Sequence, residues 1–182
     1  ESRFRAYGLV AIVIALLMLV WLLFSIFSAG LPAFRQTFIE IPVQLDAAVL
    51  DKAGNGNPVE MASVTTIGYG KLIGRALTAE LEAKGIDIGE MTPKDLVGMV
   101  SENAAADLRD MVLADPKLLG TTVQFKALAH GRIDGYFKGR VTMETAARDN
   151  MTSPEKLMLA DKMVAAGLME MRFNAGFLTM PD

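Results

Sequence analysis

The chain has 182 residues, 52% of them apolar, with 18 basic and 21 acidic residues, a formal net charge of −3 and a mean hydropathy of +0.33. That hydropathy is too high for an ordinary water-soluble domain, and the lack of a basic excess argues against a nucleic-acid binder. With no cysteine in the chain, disulfide staples and thiolate metal or redox centres are excluded.

The apolar excess is concentrated at the front. No residue from Ala6 to Phe34 is charged, and Leu9 to Phe27 is a run of nineteen residues with Ser25 its only polar member. At about 1.5 Å per residue the run spans roughly 28 Å, the thickness of a bilayer's hydrocarbon core. Arg3 and Arg5 flank one end, and the other has no base before Arg35. The positive-inside rule therefore places the N-terminus in the cytoplasm and the rest of the chain outside. A secretory signal is the competing reading, with Ser28-Ala29-Gly30 imitating a cleavage site. The apolar core of a signal is about 7–15 residues, shorter than this run. A chain that opens on Glu1 with the segment still attached is expected to keep it as an anchor. The expected division is residues 1–30 as cytoplasmic flank and transmembrane helix, and 31–182 as an extracytoplasmic domain.

Without Arg3, Arg5 and Glu1 the remainder carries 16 basic and 20 acidic residues, net −4. No second apolar run there reaches 18 residues, so no second span is expected. Ile39, Ile41, Val43 and Leu45 alternate with polar residues and predict a half-buried strand. Pro42 places that strand at a sheet edge or a bulge. Lys52 to Pro58 reads as a loop. Leu72, Ile73, Ala76, Leu77 and Leu81 have helical spacing, with Gly85 as a stop. Thr92-Pro93-Lys94-Asp95 starts another helix: a cap, a proline at the first position and a carboxylate in the first turn. A further helix is expected from about Glu102 to Ala114, ended by Asp115-Pro116. Thr121 to Ala129 reads as a strand. Ser153-Pro154-Glu155 opens a last helix that Gly167 closes, and Met169, Met171 and Phe173 alternate as a last strand. The sum is a small mixed α+β domain behind one N-terminal transmembrane helix.

Thr65 to Gly70, Thr-Thr-Ile-Gly-Tyr-Gly, resembles a potassium-channel selectivity filter, in which backbone carbonyls replace the ion's water shell. The context does not suit a filter. Asp51, Gly54, Asn55, Gly56, Asn57 and Pro58 stand where a pore helix would be, and Lys71, Arg75, Glu80, Glu82 and Lys84 follow. The segment reads better as a Gly-rich entry to a water-facing amphipathic helix.

Candidate chemistry is sparse. His130 is the only histidine; with Asp134 it could form half of a metal site, but a loop or capping role is favoured. Asp107 and Asp110 share a helix face near Asp115, and Arg109 between them makes that face one of mixed, solvated charge. Met151, Met158, Met163, Met169 and Met171 could suggest a soft-metal site. Met158 and Met163 fit the core face of a helix instead, and Met169 and Met171 the face of a strand. Arg109, Arg132, Arg140, Arg148 and Arg172 could contact an anion; spread through a net-acidic domain, they read as solvated surface residues. No Ser-His-Asp set, Walker A sequence or GxGxxG is present. No catalytic, cofactor-binding or metal-binding residue is assigned, and substrate-binding residues are left open.

Ala104 to Gly120, with Thr121-Thr122, resembles the extracytoplasmic region near the start of PstA-type permeases, membrane subunits of the bacterial phosphate ABC transporter. Arg3-Phe4-Arg5-Ala6-Tyr7-Gly8-Leu9, Phe137-Lys138-Gly139 and Arg172-Phe173-Asn174 are similar too, in the same order. Two departures stand out. Ala175-Gly176-Phe177 replaces the family's usual aromatic residues, and nothing matches the permease core, which the resemblance places beyond Asp182. It implies a non-catalytic part of an ATP-driven phosphate importer in the bacterial inner membrane, with no cofactor of its own. The span would be the first helix of the permease, and the outer domain would lie in the periplasm. Implied partners are the lipid bilayer, a second permease subunit, the ATPase subunit through parts beyond this chain, and the periplasmic phosphate-binding protein; nucleic acid is not among them. Two readings from other classes are a single-pass anchored sensor or assembly domain and a membrane-anchored enzyme. An enzyme should show a cleft with perturbed titratable groups.

Overall fold

A computed structural model describes residues 2–51 and 54–174. Lys52 and Ala53 of the expected loop, and Ala175-Gly176-Phe177, lie outside the described residues. The chain forms two compact units: residues up to Arg35 together with Phe173 and Asn174, and Gln36–Arg172.

In the first unit, α1 (Ser2–Gly30) is one unbroken helix of 29 residues. It is long and apolar enough to cross a membrane. Every residue from Arg3 to Ala29 is exposed, Leu17 at 64% and Trp21 at 74%. A helix apolar all round with no protein covering it is suited to lipid rather than water. A 3₁₀ turn, Leu31–Phe34, follows. Phe34 stacks on Phe173 at 6.1 Å, and its carbonyl accepts from the Asn174 amide at 2.8 Å.

The second unit is mixed α+β, built on a three-stranded sheet in the order β2-β1-β3. These strands are β1 (Arg35–Gln44), β2 (Thr122–Leu128) and β3 (Met169–Phe173). The expected alternation holds: Ile39, Ile41, Val43 and Leu45 are fully buried on one face. On β2, Phe125 and Ala127 pair with Ile41 and Ile39 and share that face. The opposite face is polar, with Glu40 across from Lys126, whose ammonium lies 4.2 Å from the Phe38 ring centre.

Pro42 corrects the expected edge strand or bulge. It sits in the middle strand, paired in register with Gln124. Leu45 N donates to Thr121 O, and Ala129 N donates to Thr37 O. Odd residues of β1 therefore exchange bonds with β2, and even residues turn theirs the other way. There, Glu40 N reaches Leu168 O, just before β3 begins. β3 then runs antiparallel to β1 and away from Pro42, so Pro42 lies beyond the start of β3, where no ladder bond needs a donor.

The helices pack on the apolar face. They are α2 (Ala47–Leu50), α3 (Pro58–Met61), α4 (Thr66–Ala83), α5 (Pro93–Val97), α6 (Ala104–Ala114), α7 (Gly131–Phe137), α8 (Met143–Ala146) and α9 (Pro154–Ala165). The central α4 packs most extensively on α5 and α6. It buries Leu72, Ile73, Ala76, Leu77 and Leu81 and stops at Gly85, where φ is 67° and Ile86 N closes on Leu81 O. The predicted start of α5 is a full capping box. Asp95 N donates to Thr92 Oγ1, and Thr92 N donates back to Asp95 Oδ2 at 2.9 Å. The Thr92 hydroxyl also donates to Asp95 Oδ2, at 2.6 Å, and this bond, then the one from Thr92 N, holds the Asp95 carboxyl below its ordinary range.

The Thr65–Gly70 string is the entry to α4, as expected, and it enters as helix. Thr65 is the N-cap, and Thr66 onward is helix proper, with Tyr69 fully buried. Carbonyls spent on a helical ladder cannot line an ion path.

Candidate functional site

His130 caps α7: its Nδ1 accepts from Arg132 N at 3.2 Å. That bond commits Nδ1 as an acceptor and leaves the proton of the neutral ring on Nε2. The ring lines a hollow of about 520 Å³ with Ser101, Glu102, Asn103, Arg132 and Met151. A smaller one beside it, of about 330 Å³, reaches Ile73 and Val100. Ser101 Oγ accepts from Asn103 N at 3.3 Å. Its hydroxyl makes no bond to His130 among the described residues, so no nucleophile–base pair is assembled here. No group of three or more metal-ligating side chains occurs among the described residues.

Burial pushes the His130 imidazole below its ordinary value of 6.5, against an opposing pull from Glu102. The unfolded chain then binds more protons than the folded one as pH falls through about 6.5, so stability drops in that direction. The loss continues until the folded ring is protonated as well, at a lower pH. Urea unfolding at pH values between about 7.5 and 5 should show this decline. His130→Asn keeps a capping acceptor and should flatten the slope over the same range. An equal slope in both proteins would assign it to other groups.

Asp134 does not face His130 as a second ligand. It accepts from Thr37 N at 3.0 Å and Thr37 Oγ1 at 3.1 Å, and pairs with Lys138 at 2.6 Å. Thr37 is 1% exposed, so the carboxylate completes the β1 ladder where β2 ends.

The arginines divide. Arg109, expected at a solvated surface, is a clamp: it donates to Val64 O at 3.3 Å and Ala62 O at 2.8 Å, holding the segment before α4 onto α6. Arg132 pairs with Asp149 at 3.0 Å, Arg148 with Glu144, and Arg172 with Glu170. Arg140 stands exposed. They are not gathered around one anion. Of the acidic trio, Asp107 has its carboxyl raised by burial and then by Asp110, and Asp115 caps the turn after α6. Met163 and Met169 are buried as expected, but Met158 is 49% exposed and Met151 48%. Met158 and Met163 are five residues apart, and so lie on different faces of α9.

A second surface feature lies between α4 and α5. It is a groove of about 560 Å³ with a floor of Gly70, Gly74, Val97 and Ala105. Ile67, Lys71 and Arg75 stand along one side, and Lys94 on the other. The residues on α4 follow from spacing: Ile67, Lys71 and Arg75 make one i, i+4 row, and Gly70 and Gly74 the neighbouring row. The glycine row lets α5 come close. A Cβ on Gly74 would stand 2.8 Å from Pro93 O and 3.0 Å from Val97 Cγ2, whereas one on Gly70 would meet only Val97 Cγ1, at 4.0 Å.

The architecture defines a class: one long apolar helix joined to a small mixed α+β domain. The chain belongs to the family described as domain of unknown function DUF3333, which matches residues 1–147. The match takes in α1, β1, β2 and the α4–α5 groove, and ends before α9 and β3. No curated protein and no solved structure matches the chain.

Proposed function

We propose that this chain is the membrane-anchored front of a PstA-type permease in an ATP-driven phosphate importer. In this reading α1 is the first span, the N-terminus lies in the cytoplasm, and the Gln36–Arg172 unit lies in the periplasm. There it makes protein–protein contacts, with the phosphate-binding protein or the second permease subunit. ATP hydrolysis belongs to a partner subunit. The observation that carries the reading is the ordered resemblance of four segments: Arg3 to Leu9, Ala104 to Thr122, Phe137 to Gly139 and Arg172 to Asn174. Arg3 and Arg5 beside a long apolar helix support the orientation. A groove with an apolar floor on the folded unit supports contact with a partner over chemistry.

The test has two arms. The native reading frame beyond Asp182 should encode several further apolar stretches of about 20 residues; a stop codon within a few residues sinks the permease assignment. In the full permease, replacing residues 36–172 by a short flexible linker should keep membrane insertion and lower the rate of phosphate uptake. Unchanged affinity and rate would remove the docking role.

A further inference from the structure

The groove between α4 and α5 combines three features. Its floor is made of small or apolar side chains. Its rim carries three cations, Lys71, Arg75 and Lys94, in a region of net negative charge. Those cations are poorly matched within the domain. Arg75 has only Asp46, at 4.0 Å with both side chains well exposed, a contact worth little. Among the described residues Lys71 and Lys94 have no ion-pair partner. The groove thus presents apolar surface and weakly paired positive charge at one place.

We propose that this groove is a docking site for an amphipathic helix of a partner protein, its apolar face on the Gly70–Gly74 floor and its acidic flanks against Lys71, Arg75 and Lys94. Shape and charge choose the occupant. Thr66 to Arg75 runs about 15 Å along α4, enough for two to three turns of a second helix. The trough is concave and Ile67, 69% exposed, is the one large apolar side chain rising from its edge. A bilayer would be met by several protruding apolar side chains. Carboxylates on the incoming helix complement the three cations and would speed and orient the encounter. The proposal rests on the groove alone and holds for a permease and for a single-pass chain alike.

The test uses the full chain in nanodiscs of zwitterionic lipid. The probes are two fluorescent helical peptides of about 18 residues, with one leucine face in common, one flanked by glutamates and the other by lysines. The glutamate peptide should bind at least about tenfold more tightly than the lysine peptide. The triple variant Lys71→Glu, Arg75→Glu, Lys94→Glu should reverse that preference. Gly70→Leu, which sends a side chain into the trough, should weaken the glutamate peptide by about tenfold or more, with its far-UV circular dichroism unchanged. Binding without charge preference, no binding, or no reversal overturns the proposal. So does self-association of the chain that Gly70→Leu abolishes, because a second copy is then the occupant. Anionic phosphatidylglycerol nanodiscs form the last arm. If the chain's domain associates with them through the three cations and ignores both peptides, the surface belongs to lipid and the proposal fails.

Discussion

Asp134→Ala should be among the most damaging single substitutions in the folded unit, costing about 3–5 kcal/mol. One carboxylate serves two dependents. Thr37, 1% exposed, gives it both its amide and its hydroxyl. The Lys138 side chain, 6% exposed, gives it the ammonium at 2.6 Å. Truncation leaves a strand amide unpaired and an ammonium buried without its counter-charge, and unmade bonds of this kind cost more than made ones contribute. Lys138→Met should cost clearly less, because Thr37 still satisfies the carboxylate and an apolar chain of similar length fills the space. Thermal unfolding of the full chain in detergent, followed by far-UV circular dichroism, compares the two. A loss of a few °C per kcal/mol is expected for a unit of this size. If Lys138→Met proves as damaging as Asp134→Ala, the ion pair matters more than the strand amide.

Asp134 also marks where sequence reasoning reaches its range. It was visible only as a neighbour of His130, four residues away, and the favoured capping role for His130 is what the structure shows. The partner of Asp134, Thr37, is 97 residues distant. Arg109 is the same case: its carbonyl partners lie 45 and 47 residues upstream, so the nearer Asp107 and Asp110 set the expectation. Strand β1 was legible because one-sided burial writes a period of two into the chain. The starts of α5 and α9 were legible because caps are local chemistry. Pro42 differs from its expectation because the rule against proline concerns a donor, and whether that donor is needed depends on strand order and on where β3 begins. Helix α7 gave no pattern at all. It has seven residues, two of them glycine, and stands on the His130 cap, buried Ile133 and the Asp134 contacts rather than on propensity. The groove was half legible. The i, i+4 rows on α4 are in the sequence, but the helix that makes them one wall of a trough arrives from Pro93 onward.

Gly70 and Gly74, one turn apart on α4, should respond to alanine with opposite signs. In a helix interior alanine is favoured over glycine by up to about 1 kcal/mol. At Gly70 that gain is free of contact cost, since the new Cβ meets only Val97 Cγ1 at 4.0 Å; Gly70→Ala should raise the unfolding midpoint. At Gly74 the Cβ would press on Pro93 O at 2.8 Å and Val97 Cγ2 at 3.0 Å. The backbone oxygen cannot rotate away, because the Thr92–Asp95 capping box fixes the turn that carries it. Overpacking of this kind costs about 1–3 kcal/mol, more than the helical gain, so Gly74→Ala should lower the midpoint. The strain has one outlet, a shift of α5 away from α4. That shift would move Lys94 and Val97 relative to Lys71 and Arg75 and alter the groove. Gly74→Ala should therefore weaken the glutamate-flanked peptide as well as the fold, whereas Gly70→Ala, adding one methyl to the floor, should affect the peptide without loss of stability. Equal stabilisation by both substitutions would mean that α5 is not held against α4, and the groove would lose one of its walls.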